Sequence, residues 1–149
     1  MELLIAISDS ESNILAGHSA GAWGFKLKKN RKDEYIEFLL KEEHRSIVGN
    51  FITFWSSEKG NDNSQGFIGL GIITENQIPG KIIRNIWLDN DYYGELPFKL
   101  ISSKKMLIDN VREIYGKKWN RRFAVISGNM PKANLTDEEL QKFIIYMLT

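Results

Sequence analysis

The apolar residues of this chain fall in short runs whose period changes along the sequence. Residues 3–7 are continuously apolar and bounded by serine, which predicts a buried strand. Asp9 or Ser10 can cap a short helix carrying Ile14 and Leu15, because a side-chain oxygen there accepts from an orphan N–H of the first turn. Gly17 and Gly21 are expected to break that helix, and residues 23–27 fit either a strand or an extended loop. Over 33–45, Tyr35, Ile36, Leu39 and Leu40 recur at helical spacing with charges on the other face.

Two β-rich runs follow, 51–55 and 67–73, separated by the loop-forming residues 60–64; together they predict an antiparallel hairpin. Glycines at 69 and 71 point to tight curvature or close backbone approach, as at the bends of a small barrel. Segments 82–88 and 96–101 read as further strands across the polar turn 89–91, with Pro97 placing the second at an edge or a strand start. Met106, Leu107, Asn110, Val111, Ile114 and Tyr115 have helical spacing, and 122–126 reads as a last strand. Thr136-x-x-Glu139 is a capping box opening a final helix, whose apolar face holds Leu140, Phe143, Ile144 and Met147. About six short strands mixed with three or four helices, without regular βαβ alternation, predict an α+β fold.

At 149 residues the chain is expected to form one domain, 1–149. Its final apolar helix has no tail, which leaves room for it to be the N-terminal module of a longer protein. Hydrophobic residues make up 42% and charged residues 26%, the balance of an ordinary globular chain. A net charge of +1 excludes gross electrostatic attraction as a binding mode, so any nucleic-acid affinity must come from local basic clusters. The absence of cysteine excludes disulfides, thiolate zinc sites and cysteine nucleophiles. No apolar run approaches the roughly 20 residues that span a bilayer, and the N-terminus lacks a basic n-region. A soluble cytoplasmic protein with no membrane partner is expected.

The segment Gly17-His18-Ser19-Ala20-Gly21 matches the G-x-S-x-G nucleophile elbow, but that motif needs a strand before it and a helix after it. Here Ala-Trp-Gly-Phe-Lys-Leu follows, so a small serine hydrolase using Ser19 is the disfavoured reading and no catalytic residue is assigned. His18 and His44 lack partners at metal-ligand spacing; neither a metal nor a cofactor is expected. Glu42 and Glu43 read as solvated surface charge.

Four tryptophans remain to be placed. Trp87 reads as core and Trp55 is ambiguous in facing. Trp23, between glycines and beside basic residues, reads as a partly exposed stacking platform. Two basic runs, Lys26, Lys28, Lys29, Arg31 and Lys32, and then Lys117, Lys118, Arg121 and Arg122, lie near aromatics and are candidates for phosphate contact. A protein-interaction module without nucleic-acid affinity is a third alternative.

These residues resemble the YTH domain and its prokaryotic EVE relatives, within the PUA-like superfold. Ile7-Ser8-Asp9 sits at the family's strand end, Asn13 at its Asn/Asp position and Trp23-Gly24 at its Trp-small pair. Trp55-Ser56 with Gln65-Gly66-Phe67, and Trp87 with Glu95-Leu96-Pro97-Phe98, follow in the family's order. The resemblance covers residues 3–101 and weakens beyond. It implies a small curved β-barrel flanked by helices that flips a methylated base into an aromatic cage. By that resemblance Trp23 walls the base and Asn13 bonds a ring nitrogen. The Gly24 carbonyl takes the methylamine N–H, and Ser8 and Asp9 supply backbone contacts.

The family's other cage aromatics come from a loop that here is Thr-Glu-Asn-Gln-Ile-Pro-Gly (74–80), with no aromatic, so Trp55 and Phe25 are the candidates for a second wall. The chain also resembles the DNA-recognition domain of McrB-type modification-dependent restriction GTPases. That likeness implies 6-methyladenine in DNA as the ligand and a fused or partner NTPase or nuclease. A methylated-RNA reader of the same fold is the alternative.

Overall fold

A computed structural model describes residues 1–26, 48–58, 65–75, 78–79, 92–123 and 132–149; for residues 25–26, 78–79 and 92–94 it describes the backbone only. The helix expected at 33–45, the loop 60–64, the strand 82–88 with Trp87, and the residues Lys28, Lys29, Arg31, Lys32, Glu42, Glu43 and His44 lie outside the described residues.

The elements in order are β1 (Leu3–Ser8), α1 (Glu11–Ala20), β2 (Ala22–Lys26), β3 (Phe51–Ser56), β4 (Gly66–Ile73), β5 (Ile78–Pro79), β6 (Tyr92–Leu107), α2 (Ile108–Tyr115), α3 (Trp119–Phe123) and α4 (Asp137–Leu148). They form an α+β fold around one curled sheet of order β1-β3-β4-β6-β2, with β5 pairing β6. β1 and β3 are parallel, Leu3 opposite Phe51 through Ser8 opposite Ser56, whereas β3–β4, β4–β6 and β2–β6 are antiparallel.

Side chains alternate across a strand, so the sheet carries an apolar cluster on each face. Leu4, Ala6, Ile52 and Phe54 join Ile14, Trp23, Ile68, Leu96 and Phe98 on one face. Leu3, Ile5, Phe51 and Trp55 join Phe67, Leu70, Trp119, Phe123, Phe143 and Met147 on the other, under the C-terminal helices. Phe67 and Leu70 are three residues apart yet share a face. Gly69 (φ +80°) lies between them, where the ladders of β4 with both β3 and β6 shift register. This β-bulge resets the alternation, and Thr53 Oγ1 donates to the Gly69 carbonyl at 2.8 Å across it.

Four sequence expectations are corrected. Gly17 does not break α1: Ser10 caps the helix by accepting from Asn13 N–H, and the chain stays helical to Gly21, which ends it in the left-handed region. Residues 119–123 are helical, not the start of a strand over 122–126, because Trp119 and Phe123 at i and i+4 both bury into the sheet. The α2 helix begins at Ile108, while Met106 and Leu107 still pair with Phe67 and Gly66.

Pro97, the fourth, is neither at an edge nor at a strand start but inside the sixteen-residue β6. Toward β2 it occupies a non-hydrogen-bonded position. Its carbonyl faces the other way and accepts from Thr74 N–H just past the end of β4, so the missing N–H leaves no ladder bond broken.

The Thr136–Glu139 capping box is present, with both bonds at 3.2 Å. Tyr115, at the end of α2, is buried and donates to the Glu139 carbonyl at 3.3 Å. Burial pushes its phenol up to about 12. Because the neutral form is favoured in the folded state, its stabilisation is complete below pH 10 and is lost between pH 10 and 12. Two units correspond to about 3 kcal/mol. Urea titrations at pH 9 and pH 11.5 are expected to show Tyr115→Phe losing less stability than wild type across that window; equal losses would refute the assignment.

Candidate functional site

Both ends of the sequence motif are held by α1. Ser8 closes the turn out of β1: its hydroxyl accepts from Ser10 N–H (3.1 Å) and donates to Ser10 O (3.2 Å). Its own carbonyl accepts from Ser57 N–H at 2.8 Å. Glu58 places a carboxylate oxygen 3.3 Å from Glu11 N–H at the helix start, where the partial positive charge favours an anion. Glu11 in turn is ion-paired with Lys105 of β6. Asp9 is exposed.

Asn13 and Gly17 lie one turn apart on the same face of α1. Gly17 abuts the indole of Trp23: a Cβ there would stand 3.1 Å from Trp23 Cε3 and 3.1 Å from the Ala22 carbonyl. This close approach is why the helix carries glycine in its middle. The Asn13 side chain is half-buried and makes no hydrogen bond among the described residues. An amide, carrying both a donor and an acceptor, therefore sits one turn from the residue that backs the indole.

Trp23 is not the open platform expected from its flanking glycines. It is 8% exposed, belongs to an apolar cluster and packs edge-on against Phe54 at 5.4 Å. Phe54 continues to Phe98 at 5.1 Å and to His18 at 4.8 Å, so one face of the sheet carries a contiguous set of four rings. Trp55 is excluded as a second wall. It points to the opposite face of β3, is 4% exposed and packs on Phe67 and Trp119, each at 4.8 Å. A phase error of one residue along a strand reverses the face, and the one polar residue of 51–55, Thr53, is itself buried on the face of Trp55 and so marks no solvent side.

Gly24 has the geometry that matters most. The Gly21 carbonyl accepts from Phe98 N–H at 3.0 Å, toward β6. Backbone groups alternate along an antiparallel pair, so Trp23 also faces β6, and the N–H and C=O of Gly24 point away from it. β2 is the terminal strand, and among the described residues none pairs with that edge. Gly24 is nonetheless buried. In a buried residue, a carbonyl off the ladder is an acceptor whose partner lies outside this strand pair.

The second basic run divides. Lys117, Arg121 and Arg122 are exposed around α3, and Arg122 forms an ion pair with Glu139 of α4. Trp119 anchors α3 on the sheet face opposite Trp23, so these cations do not converge with Asn13, Trp23 and Gly24. Ser19 lies exposed in the last turn of α1, with the helix before it and not after it, so the nucleophile-elbow geometry is absent.

No protein-family model matches the sequence, and no curated protein matches it. Solved structures do match the fold. The YTH domain of the Zygosaccharomyces rouxii MRB1 protein in complex with N6-methyladenosine RNA superposes with a TM-score of 0.62 at 12% identity, covering 99% of this chain and 85% of that one. The Mmi1 YTH domain in complex with RNA gives 0.60 at 12% identity, covering 98% and 80%. The Pho92 YTH domain in complex with m6A gives 0.57 at 12% identity, covering 99% and 84%. The fold is that of a YTH domain.

Proposed function

We propose that this chain reads a methylated adenine in RNA, holding the base between Trp23, Asn13 and the Gly24 carbonyl. What supports the reading is the Gly24 carbonyl, which belongs to a buried residue immediately after the indole and faces away from β6, on an edge that no strand pairs among the described residues. N6-methyladenine keeps one N–H donor and gains an apolar methyl group. A lone carbonyl beside aromatic rings satisfies both, while unmethylated adenine leaves its second N–H unpaired in an apolar site. The Asn13 amide complements a ring nitrogen, since its N–H is a donor for an acceptor that carries no hydrogen.

RNA is favoured over the methylated DNA that the sequence suggests, because the solved domains of this fold named above hold RNA or m6A. The McrB-type restriction setting, with its partner NTPase or nuclease, draws no support from these comparisons. Because Trp23 is covered, the seated base must displace what covers it. That cost adds to unstacking, a few kcal/mol, and is offset by stacking of about 1–3 kcal/mol. Phosphates flanking the base fall to the run beginning at Lys26, which the sequence places directly after the Trp23–Gly24 pair; Lys117 and Arg121 would serve only a strand that wraps around the sheet.

The test is a titration at one fixed salt concentration with RNA and DNA strands of identical sequence, each with and without a single 6-methyladenine. Methylated RNA is expected to bind roughly 10- to 200-fold more tightly than unmodified RNA, the range one apolar carbon commands in a fitted pocket. Asn13→Ala is expected to weaken binding about 3- to 10-fold with no change in melting temperature. Equal affinity for methylated and unmodified strands would end the proposal, and a preference for methylated DNA would return it to the DNA reading.

A further inference from the structure

His18 is left out of the base site, yet it belongs to the ring set that supports it, joined to Trp23 through Phe54. The ring packs edge-on against Phe54 at 4.8 Å and Phe98 at 6.4 Å. It also covers Gly69 so closely that a Cβ on that glycine would stand 2.6 Å from His18 Cε1 and 2.9 Å from Nε2. One ring nitrogen is engaged with the Ile68 backbone. Nε2 is buried and has no hydrogen-bond partner. As a neutral acceptor it tolerates this site, since a lone pair against carbon costs little beside a stranded N–H. As a protonated donor it would carry charge into an apolar interior with nothing to receive its hydrogen.

We propose that His18 is a positioning residue whose neutral form seats α1 against Trp23, so that acid releases the wall of the base site. The elements around the ring present Phe54 from β3, Gly69 and the Ile68 carbonyl from β4, and Phe98 and the nearby Ser102 carbonyl from β6. No carboxylate or cation among the described residues acts on it; Glu11, on the same helix, is paired with Lys105. The helix C-terminus favours a cation at His18. A stranded buried donor opposes it more strongly, and burial accordingly holds the imidazole below its ordinary value of 6.5. The neutral form is therefore the one that stabilises the fold. Its contribution is present above pH 6.5 and is lost as the pH falls from there toward the folded midpoint. His18 is half-buried, but its Nε2 is covered and gains a water partner when the last turn of α1 moves off Gly69. Gly17, the neighbouring residue, then leaves the indole and carries Asn13 with it.

The proposal rests on the base-reading role of Trp23 only for its consequence, and two readouts keep the parts separate. The Trp23 indole N–H and the ring protons of His18 are followed by NMR from pH 7.5 to 5.0, with His44→Gln used to assign the two histidines. In parallel, affinity for methylated RNA is measured over the same range. The Trp23 signal is expected to move with the His18 midpoint, and affinity to fall roughly tenfold per pH unit below it. His18→Asn keeps a donor for the Ile68 carbonyl and His18→Leu keeps the apolar packing; in either, both profiles are expected to flatten. A Trp23 signal that ignores the His18 titration, or an acid loss of affinity that survives both substitutions, overturns the proposal. If methylated RNA fails to bind at any pH while Trp23 still follows His18, the positioning role stands and the base-reading role falls.

Discussion

Replacing Trp23 with alanine is expected to destroy methyl discrimination and to cost about 3–5 kcal/mol of stability, the usual range for truncating a buried aromatic. The two losses have one origin. The indole is 8% exposed and fills the space that Gly17 leaves open, while touching Phe54 edge-on. Against a total stability of about 5–15 kcal/mol, the alanine variant is on the margin of folding. Trp23→Phe is the informative companion. It keeps most of the packing and is expected to cost less stability while still weakening methyl preference, since the smaller ring covers less of the base. Urea denaturation and the four-strand titration on both variants give the two numbers. A fully folded Trp23→Ala protein that still prefers the methylated strand would remove Trp23 from the site.

Gly69→Ala is expected to destabilise by about 2–4 kcal/mol. Its backbone sits at φ +80°, where a side chain costs about 1–2 kcal/mol. The new carbon would also meet His18 at 2.6 Å and the Ser102 carbonyl at 3.1 Å, an overpacking of the kind that costs about 1–3 kcal/mol. His18→Ala removes the first obstacle but neither the backbone strain nor the carbonyl. In a double-mutant cycle the pair is expected to couple by at least about 1 kcal/mol, with Gly69→Ala costing less in the His18→Ala background. Strict additivity would show that the imidazole does not occupy the space over the bulge.

The sequence and the structure agree where a local rule decides the outcome. The apolar run 3–7, the paired runs around Thr53 and Leu70, and the Thr136–Glu139 box each contain their own instructions, and each is found as expected. Disagreement begins where a distant partner decides. Gly17 reads as a helix breaker until the indole of Trp23 is seen to need its missing Cβ. Arg122 and Phe123 read as a strand start until Trp119 and Phe123 are seen docking on the same sheet face. Trp23 reads as exposed because glycines flank it, whereas Gly24 continues β2 opposite Glu95 and is itself buried, so it says nothing about solvent. Of the candidate residues, Asn13 and Gly24 stand out only through the resemblance to the YTH domain, while Trp23 also stands out by its own neighbourhood. His18 stands out by neither route, since the packing of its ring depends on a bulge at Gly69 that lies fifty-one residues downstream.

The pairing of β1 has a further consequence for how the protein is made. This first strand lies parallel to β3, and on its free side Ala133 N–H donates to the Leu3 carbonyl at 2.8 Å. Its two lateral neighbours thus come from the middle of the chain and from near its end. β1 therefore gains its second neighbour only when a segment 130 residues further along the chain, from Leu3 to Ala133, is in place. Such non-local closure is intrinsically slow, and an apolar strand left open in the interval is a template for unwanted pairing with other chains.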